Sequence, residues 1–165
     1  MNIIFLDFDG VINSEGFFVA RSRNMQGLRM INIDVNNEED DRIQWYMWQI
    51  NPYNLDILRE IIEETSSSVI VISSWKNLIR FDRVSKELIK LGIPIIGRTY
   101  DQGSNRGFGI KEYLKDNEVD SYIIIDDEIF RDYDEELLAH LVKTEFINGL
   151  TLKEKEKALK ILKRK

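Results

Sequence analysis

The sequence predicts an α/β protein: a three-layer sandwich with a mostly parallel central sheet. Three observations predict it. Short, continuously apolar runs such as Ile3-Ile4-Phe5-Leu6 and Val69-Ile70-Val71-Ile72 read as strands buried on both faces. Segments with apolar residues at helical spacing separate these runs. Strands alternating with helices imply right-handed crossovers and hence a Rossmann-like arrangement.

The first strand spans Asn2 to Asp7, and Asp7 to Gly10 ends it. Residues 12–50 differ. Phe17, Phe18, Met30, Trp45, Tyr46, Met47 and Trp48 are scattered between polar stretches such as Asn36 to Asp41, and no helical period covers them. The expectation is a small insertion of short strands or irregular chain, folded over one end of the sheet within a single domain, 1–165. A helix follows, with Asn51 as N-cap, Pro52 as first residue, and Leu55, Leu58, Ile61 and Ile62 on one face. The second strand covers Ser67 to Ser73. A helix from about Leu78 to Leu91 stops at Gly92. Ile93 to Ile96, Tyr122 to Ile125 and Leu141 to Phe146 read as further strands. Ile110 to Leu114 lies in a short helix, and Thr151 with Glu154 forms a capping box that opens the last one.

Composition narrows the chemistry. At 165 residues, 43% hydrophobic and 32% charged, the chain has the balance of an ordinary globular domain. It has no cysteine and one histidine, so thiolate zinc sites and cysteine nucleophiles are excluded. No apolar run is long enough to span a bilayer, and Ile3 to Leu6 is too short for a signal-peptide core. The expected compartment is the cytoplasm, with no membrane association. A net charge of −6 disfavours a broad nucleic-acid footprint but leaves room for a pocket that handles one phosphate. The Lys153 to Lys165 stretch alternates in sign and reads as a solvated helix face.

Parallel sheets bind ligands at the carboxyl ends of their strands, and polar residues collect there. The first strand ends in Asp7-Phe8-Asp9-Gly10, the second in Ser73-Ser74-Trp75-Lys76, the fourth in Asp126-Asp127. Four carboxylates converging on one edge would repel one another. A hard divalent cation, magnesium above all, removes that cost, and such a site suits phosphate chemistry. Gly10 permits a turn that swings Asp9 back beside Asp7. One aspartate can then attack phosphorus while the other handles the leaving-group proton. Ser73 or Ser74 can bind phosphoryl oxygens, and Arg106 or Lys111 can offset transition-state charge.

These motifs resemble the haloacid dehalogenase (HAD) superfamily of phosphatases. Phe5-Leu6-Asp7-Phe8-Asp9-Gly10-Val11 is similar to its first motif, Ile72-Ser73 to its second, and Ile123-Ile124-Ile125-Asp126-Asp127 to its acidic fourth. Val71 to Lys76, Arg106 to Lys111 and Gly149-Leu150-Thr151 resemble more narrowly the small HAD domain of modular, Swiss Army Knife RNA-repair proteins. The resemblance implies a magnesium-dependent phosphohydrolase with Asp7 as nucleophile and metal ligand. Asp9 would be the acid/base and would bind metal through its backbone carbonyl. Ser73 would hold the phosphoryl group, and Asp126 and Asp127 would complete the magnesium site. Residues 12–50 stand in the place of a small cap. The family's third-motif lysine is replaced by Arg106, with Lys111 and Lys76 as other candidates, and arginine is not an equivalent substitute.

The implied substrates are phosphorylated: a small metabolite, a nucleotide or a nucleic-acid end. A non-catalytic phospho-acceptor domain is the alternative, which the presence of Asp9 disfavours. His140 lies away from every motif and reads as structural. Trp45, Tyr46 and Trp48 could stack on a base, but packing of the insertion against the sheet is the simpler reading. Trp75 either lines the pocket or packs in the core.

Overall fold

The computed structural model describes residues 1–25, 38–78, 81–100 and 105–163. Among them, five strands form one sheet in which every pairing is parallel: β1 (Asn2–Leu6), β2 (Ser68–Val71), β3 (Ile95–Arg98), β4 (Ser121–Asp126) and β5 (Leu141–Lys143). Their order across the sheet is β3-β2-β1-β4-β5. The chain leaves β1 toward β2 and returns on the other side at β4, so the point where the winding reverses falls between β1 and β4.

Strand residues alternate between two apolar layers, as the two-residue period of a strand requires. Ile4, Leu6, Val69, Val71, Ile123 and Ile125 face one layer. There they meet α3 (Pro52–Thr65), α4 (Phe81–Lys90) and α7 (Leu152–Leu162) through Leu58, Ile61, Val84, Leu88, Ala158 and Leu162. Ile3, Phe5, Ile70, Ile72 and Ile124 face the other. That layer is closed by α5 (Arg106–Asp116) and α6 (Glu135–Ala139) through Ile110 and Leu137. The result is the expected three-layer sandwich. No helix among the described residues is long and apolar enough to cross a membrane.

Local signals explain the element ends. The Asn51 side chain accepts from the Tyr53 backbone N–H at 3.0 Å, with Pro52 opening α3. Gly92, at φ +88°, lies just past α4. Glu154 accepts from the Thr151 backbone N–H at 3.1 Å as α7 begins. The Lys155 and Lys163 side chains of α7 bond the α3 carboxylates Glu60 and Glu64.

Between β1 and α3 the structure corrects the expectation of short strands or irregular chain. Two helices are present: α1 (Glu15–Met25) and α2 (Glu38–Gln49). They lacked a visible period because their aromatics pack on each other. Trp45 and Trp48 stack at 5.3 Å, Phe18 meets both edge-on, and Arg21 lies 4.7 Å over Trp48 while donating to its carbonyl at 2.8 Å. Packing against the main body falls instead to Tyr46 and Met47, with Tyr46 4.7 Å from Trp75. Met30 and the start of the polar stretch at Asn36 lie outside the described residues, as does Lys165. Other differences are boundary shifts. β3 runs to Arg98, β5 stops at Lys143, α5 starts at Arg106, and α6 was not anticipated. His140 stacks on Tyr122 at 4.0 Å and bonds its carbonyl, a structural role.

One buried amide ties α3 to the loop that leads into α7. Asn54 is fully buried, and its Nδ2 donates to the carbonyls of Asn148 at 3.0 Å and Leu150 at 2.8 Å. Gly149 takes φ +67°, and a Cβ there would lie 2.6 Å from the Asn54 Oδ1 and from the Val11 carbonyl. Asn54→Ala strips two carbonyls of their donor and is expected to lower stability by about 2–4 kcal/mol, read from the urea midpoint.

Candidate active site

The carboxyl ends of β1 and β4 bring the acidic motifs together. Leu6 pairs with Ile125, and the Asp7 N–H donates to the Ile125 carbonyl at 3.0 Å. Asp7 therefore leaves β1 beside Asp126 and Asp127. Asp7, Asp126 and Asp127 offer carboxylate oxygens that all lie within 4.8 Å of one another. Asp126 is fully buried, Asp7 is nearly so, and Asp127 is part-exposed.

Gly10 makes the close approach possible. Its φ of +69° turns the chain back, and a Cβ there would lie 2.7 Å from the Asp127 carboxyl carbon. Thr144 holds this turn by donating its hydroxyl to the Gly10 carbonyl at 2.7 Å.

Arg106, at the start of α5, answers the negative charge. Its Nη1 lies 2.6 Å from Asp126 Oδ2 and 3.5 Å from Asp7 Oδ1. Its guanidinium sits 4.1 Å above the Phe130 ring, which fixes its plane. The Tyr133 hydroxyl donates to the same Asp126 oxygen at 3.0 Å, and the Glu128 N–H donates to Asp126 Oδ1 at 3.0 Å. Burial opposes a charged Arg106, but the Asp7 and Asp126 carboxylates outweigh it and hold the guanidinium protonated.

One cation does not neutralise three acids. Burial pushes the Asp7 carboxyl up to about 7; Arg106 pulls it down, and the charge of Asp126 pushes it further up. Burial, then Asp126 and Glu128, raises Asp127 to about 6. The donor set is all carboxylate oxygen, with neither sulfur nor imidazole. It fits a hard divalent cation such as magnesium, which would relieve the repulsion.

Asp9 is held apart from this cluster. Its Oδ1 accepts from Asn13 Nδ2 at 2.7 Å and its Oδ2 from Trp75 Nε1 at 3.1 Å. Trp75 is buried against Phe8, at 5.1 Å, so it both packs in the core and orients Asp9. The Ile72 N–H donates to the Leu6 carbonyl at 2.9 Å, which sets Ser73 beside the end of β1. Ser73 is fully buried, and its Oγ accepts from the Trp75 N–H at 3.3 Å. Ser74 is exposed at the start of a short 3-10 helix, Ser74–Asn77.

Lys111 forms an ion pair with Asp134 on an exposed face, and the structure does not join it to the acidic cluster. Lys76 is buried, and its Nζ donates to Thr99 Oγ1 at 2.8 Å. Sequence reasoning missed Asn13, Phe130, Tyr133 and Thr144. Phe130 and Tyr133 belong to a stretch with no strand or helix pattern, so nothing local marks them.

The raised carboxylates give stability a defined pH dependence. Between about pH 4 and pH 7 the folded chain binds protons that the unfolded chain has released, so stability falls as pH rises through that window. Urea unfolding in the presence of a chelator is expected to show a lower midpoint at pH 8 than at pH 5. Asp7→Asn is expected to flatten the difference.

The chain matches the family model described as the HAD domain in Swiss Army Knife RNA repair proteins, over residues 3–154. No curated protein and no solved structure matches it. The matched span runs from β1 into α7 and contains every site residue named above. A parallel sheet of this order, with its acids at the β1 and β4 ends, and a family match across that same span identify the chain as a member of the HAD superfamily.

Proposed function

We propose that this domain is a magnesium-dependent phosphomonoesterase that works through an aspartyl-phosphate on Asp7. The observation that carries this reading is the convergence of Asp7, Asp126 and Asp127 beside the part-buried Arg106. A structural salt bridge would match its charges; this cluster leaves an excess of negative charge beside the winding reversal of the sheet.

In the first step an Asp7 carboxylate oxygen attacks phosphorus and the ester P–O bond breaks. Asp9 gives a proton to the departing oxygen. In the second step Asp9 takes a proton from water, the water oxygen attacks phosphorus, and phosphate leaves with Asp7 restored. Asn13 and Trp75 hold Asp9 in place for both transfers. Arg106 favours the ionised form of Asp7 and sits where it can offset charge on the phosphoryl oxygens. Ser73 would bind one of those oxygens. Magnesium held by Asp7, Asp126 and Asp127, with the Asp9 carbonyl, would supply positive charge against the transferring group.

The segment carrying α1 and α2 stands as the cap, and substrate choice depends partly on it. Of the candidate substrates, the family's description favours a nucleic-acid end. We expect wild type with magnesium to release phosphate continuously from p-nitrophenyl phosphate. Chelation or Asp7→Asn should abolish release, by roughly a thousandfold or more. Arg106→Ala should cost roughly 100- to 1000-fold in kcat, and Arg106→Lys should recover part of that. A single stoichiometric phospho-adduct without further release would replace this reading with a phospho-acceptor domain.

A further inference from the structure

Asp9 protonates the departing oxygen in the reaction above, so the alcohol part of the substrate lies against the Asp9 carboxyl. A hollow of about 230 Å³ adjoins that residue, on the side of α1 and of the turn that follows β5. Phe18 and Phe146 supply its apolar walls, and Glu15 is the one acid in its lining besides Asp9.

These walls are held in place by the fold. Trp45 and Trp48 meet Phe18 edge-on, at 6.1 Å and 5.6 Å, which fixes its ring. Phe146 stands on a turn tied to the start of α1. The Glu15 and Gly16 N–H groups, which the helix leaves unpaired at its first turn, donate to the Phe146 and Ile147 carbonyls, each at 3.0 Å. Gly16 allows that approach, since a Cβ there would lie 2.8 Å from the Ile147 carbonyl oxygen. The Phe146 residue is nevertheless 50% exposed.

The polar side chains of the lining are engaged with the fold. Asn13 Nδ2 donates to Asp9 at 2.7 Å, Asn51 Nδ2 donates to Ser14 Oγ at 3.0 Å, and Gln49 Nε2 donates to the Trp45 carbonyl at 3.2 Å. No lining residue carries positive charge, and no cation among the described residues pairs with Glu15. An anionic group entering here would meet Glu15 and Asp9 with nothing to offset them, whereas a neutral ring would meet two phenylalanines. The hollow is also smaller than the pockets of about 300–1,000 Å³ that take drug-sized ligands, which suits a single ring.

We propose that the Phe18–Phe146 hollow seats the alcohol part of the substrate, that this part is an uncharged ring, and that Glu15 excludes anionic groups. This assignment rests on the phosphatase reading and deepens it by naming the class of leaving group.

Binding of unreactive analogues to the wild-type chain with magnesium tests it without turnover. Methylphosphonate, benzylphosphonate and 4-carboxybenzylphosphonate are titrated calorimetrically; they present the phosphoryl group with no ring, a neutral ring and an anionic ring. Benzylphosphonate is expected to bind about 10- to 100-fold more tightly than methylphosphonate. The carboxylated ring should bind about 3- to 10-fold more weakly than the neutral one, and Glu15→Gln should restore that loss, with less to restore as salt is added. Phe146→Ala, at a half-exposed position, should cost benzylphosphonate about 3- to 30-fold and leave methylphosphonate within about twofold. The hollow is overturned if the ring brings no gain, or if the gain survives both Phe18→Ala and Phe146→Ala. Exclusion by charge is overturned if Glu15→Gln does not restore the carboxylated ring. Turnover of p-nitrophenyl phosphate by wild type reports the reaction separately. Turnover without a ring gain removes the hollow alone; a ring gain that Phe146 controls, without turnover, removes the reaction and keeps the hollow as a ring site. A free ester and the terminal nucleoside of a nucleic-acid end both present a neutral ring. A fall in kcat/KM on Phe146→Ala for a phosphorylated uridine dinucleotide assigns the ring to a nucleoside, a fall for phenyl phosphate alone assigns it to a free ester, and a fall for neither overturns the hollow.

Discussion

Like-charge repulsion at the ends of β1 and β4 is the constraint on which the rest of the site depends. Three carboxylates are packed together there; burial, with the charge of Asp126 beside it, drives Asp7 up to about 7 and Asp127 up to about 6. Such an arrangement persists only if the surrounding structure over-determines it. It does so through the β1–β4 register, the positive φ of Gly10, the Thr144 hydroxyl beneath the turn, and Arg106 clamped on Phe130. Each of these uses ordinary backbone or packing physics to hold a configuration that electrostatics resists. The same repulsion is what gives the cluster its affinity for a hard cation, since only added positive charge relieves it.

The fold was legible because its strands are buried on both faces. A run such as Ile3 to Leu6 leaves little room for another interpretation, and the caps at Asn51, Gly92 and Thr151 lie where simple rules put them. The region from 12 to 50 was not legible for a definite reason. Periodicity reports burial against a common core, whereas Phe18, Trp45, Trp48 and Arg21 pack on one another at the surface. Helices that pack this way need not show an apolar stripe. The short α6 was missed because five residues are too few to establish a period.

The acidic residues stood out in the sequence because each pair, Asp7 with Asp9 and Asp126 with Asp127, ends an apolar strand. Their supports did not. Asn13, Thr144, Phe130 and Tyr133 act through single hydrogen bonds or one ring contact, and such contacts depend on tertiary placement alone. Lys111 shows the converse. It follows the right motif, yet a helix turns about 100° per residue, so a position five beyond Arg106 points elsewhere and meets Asp134. Arg106 and Lys111 share an element without sharing a destination.

The aromatic cluster of α1 and α2 has a consequence for how this architecture diversifies. Because Trp45, Trp48, Phe18 and Arg21 satisfy one another, the inserted pair of helices leans on the main body through Tyr46 and Met47 of α2 and through the Glu15 and Gly16 N–H groups of α1, which donate to the Phe146 and Ile147 carbonyls. An accessory whose aromatics pack on one another at the surface can be lengthened, shortened or exchanged with little disturbance to the sheet. Selectivity and chemistry are then free to change independently, the first by grafting at one loop, the second only by disturbing buried charge.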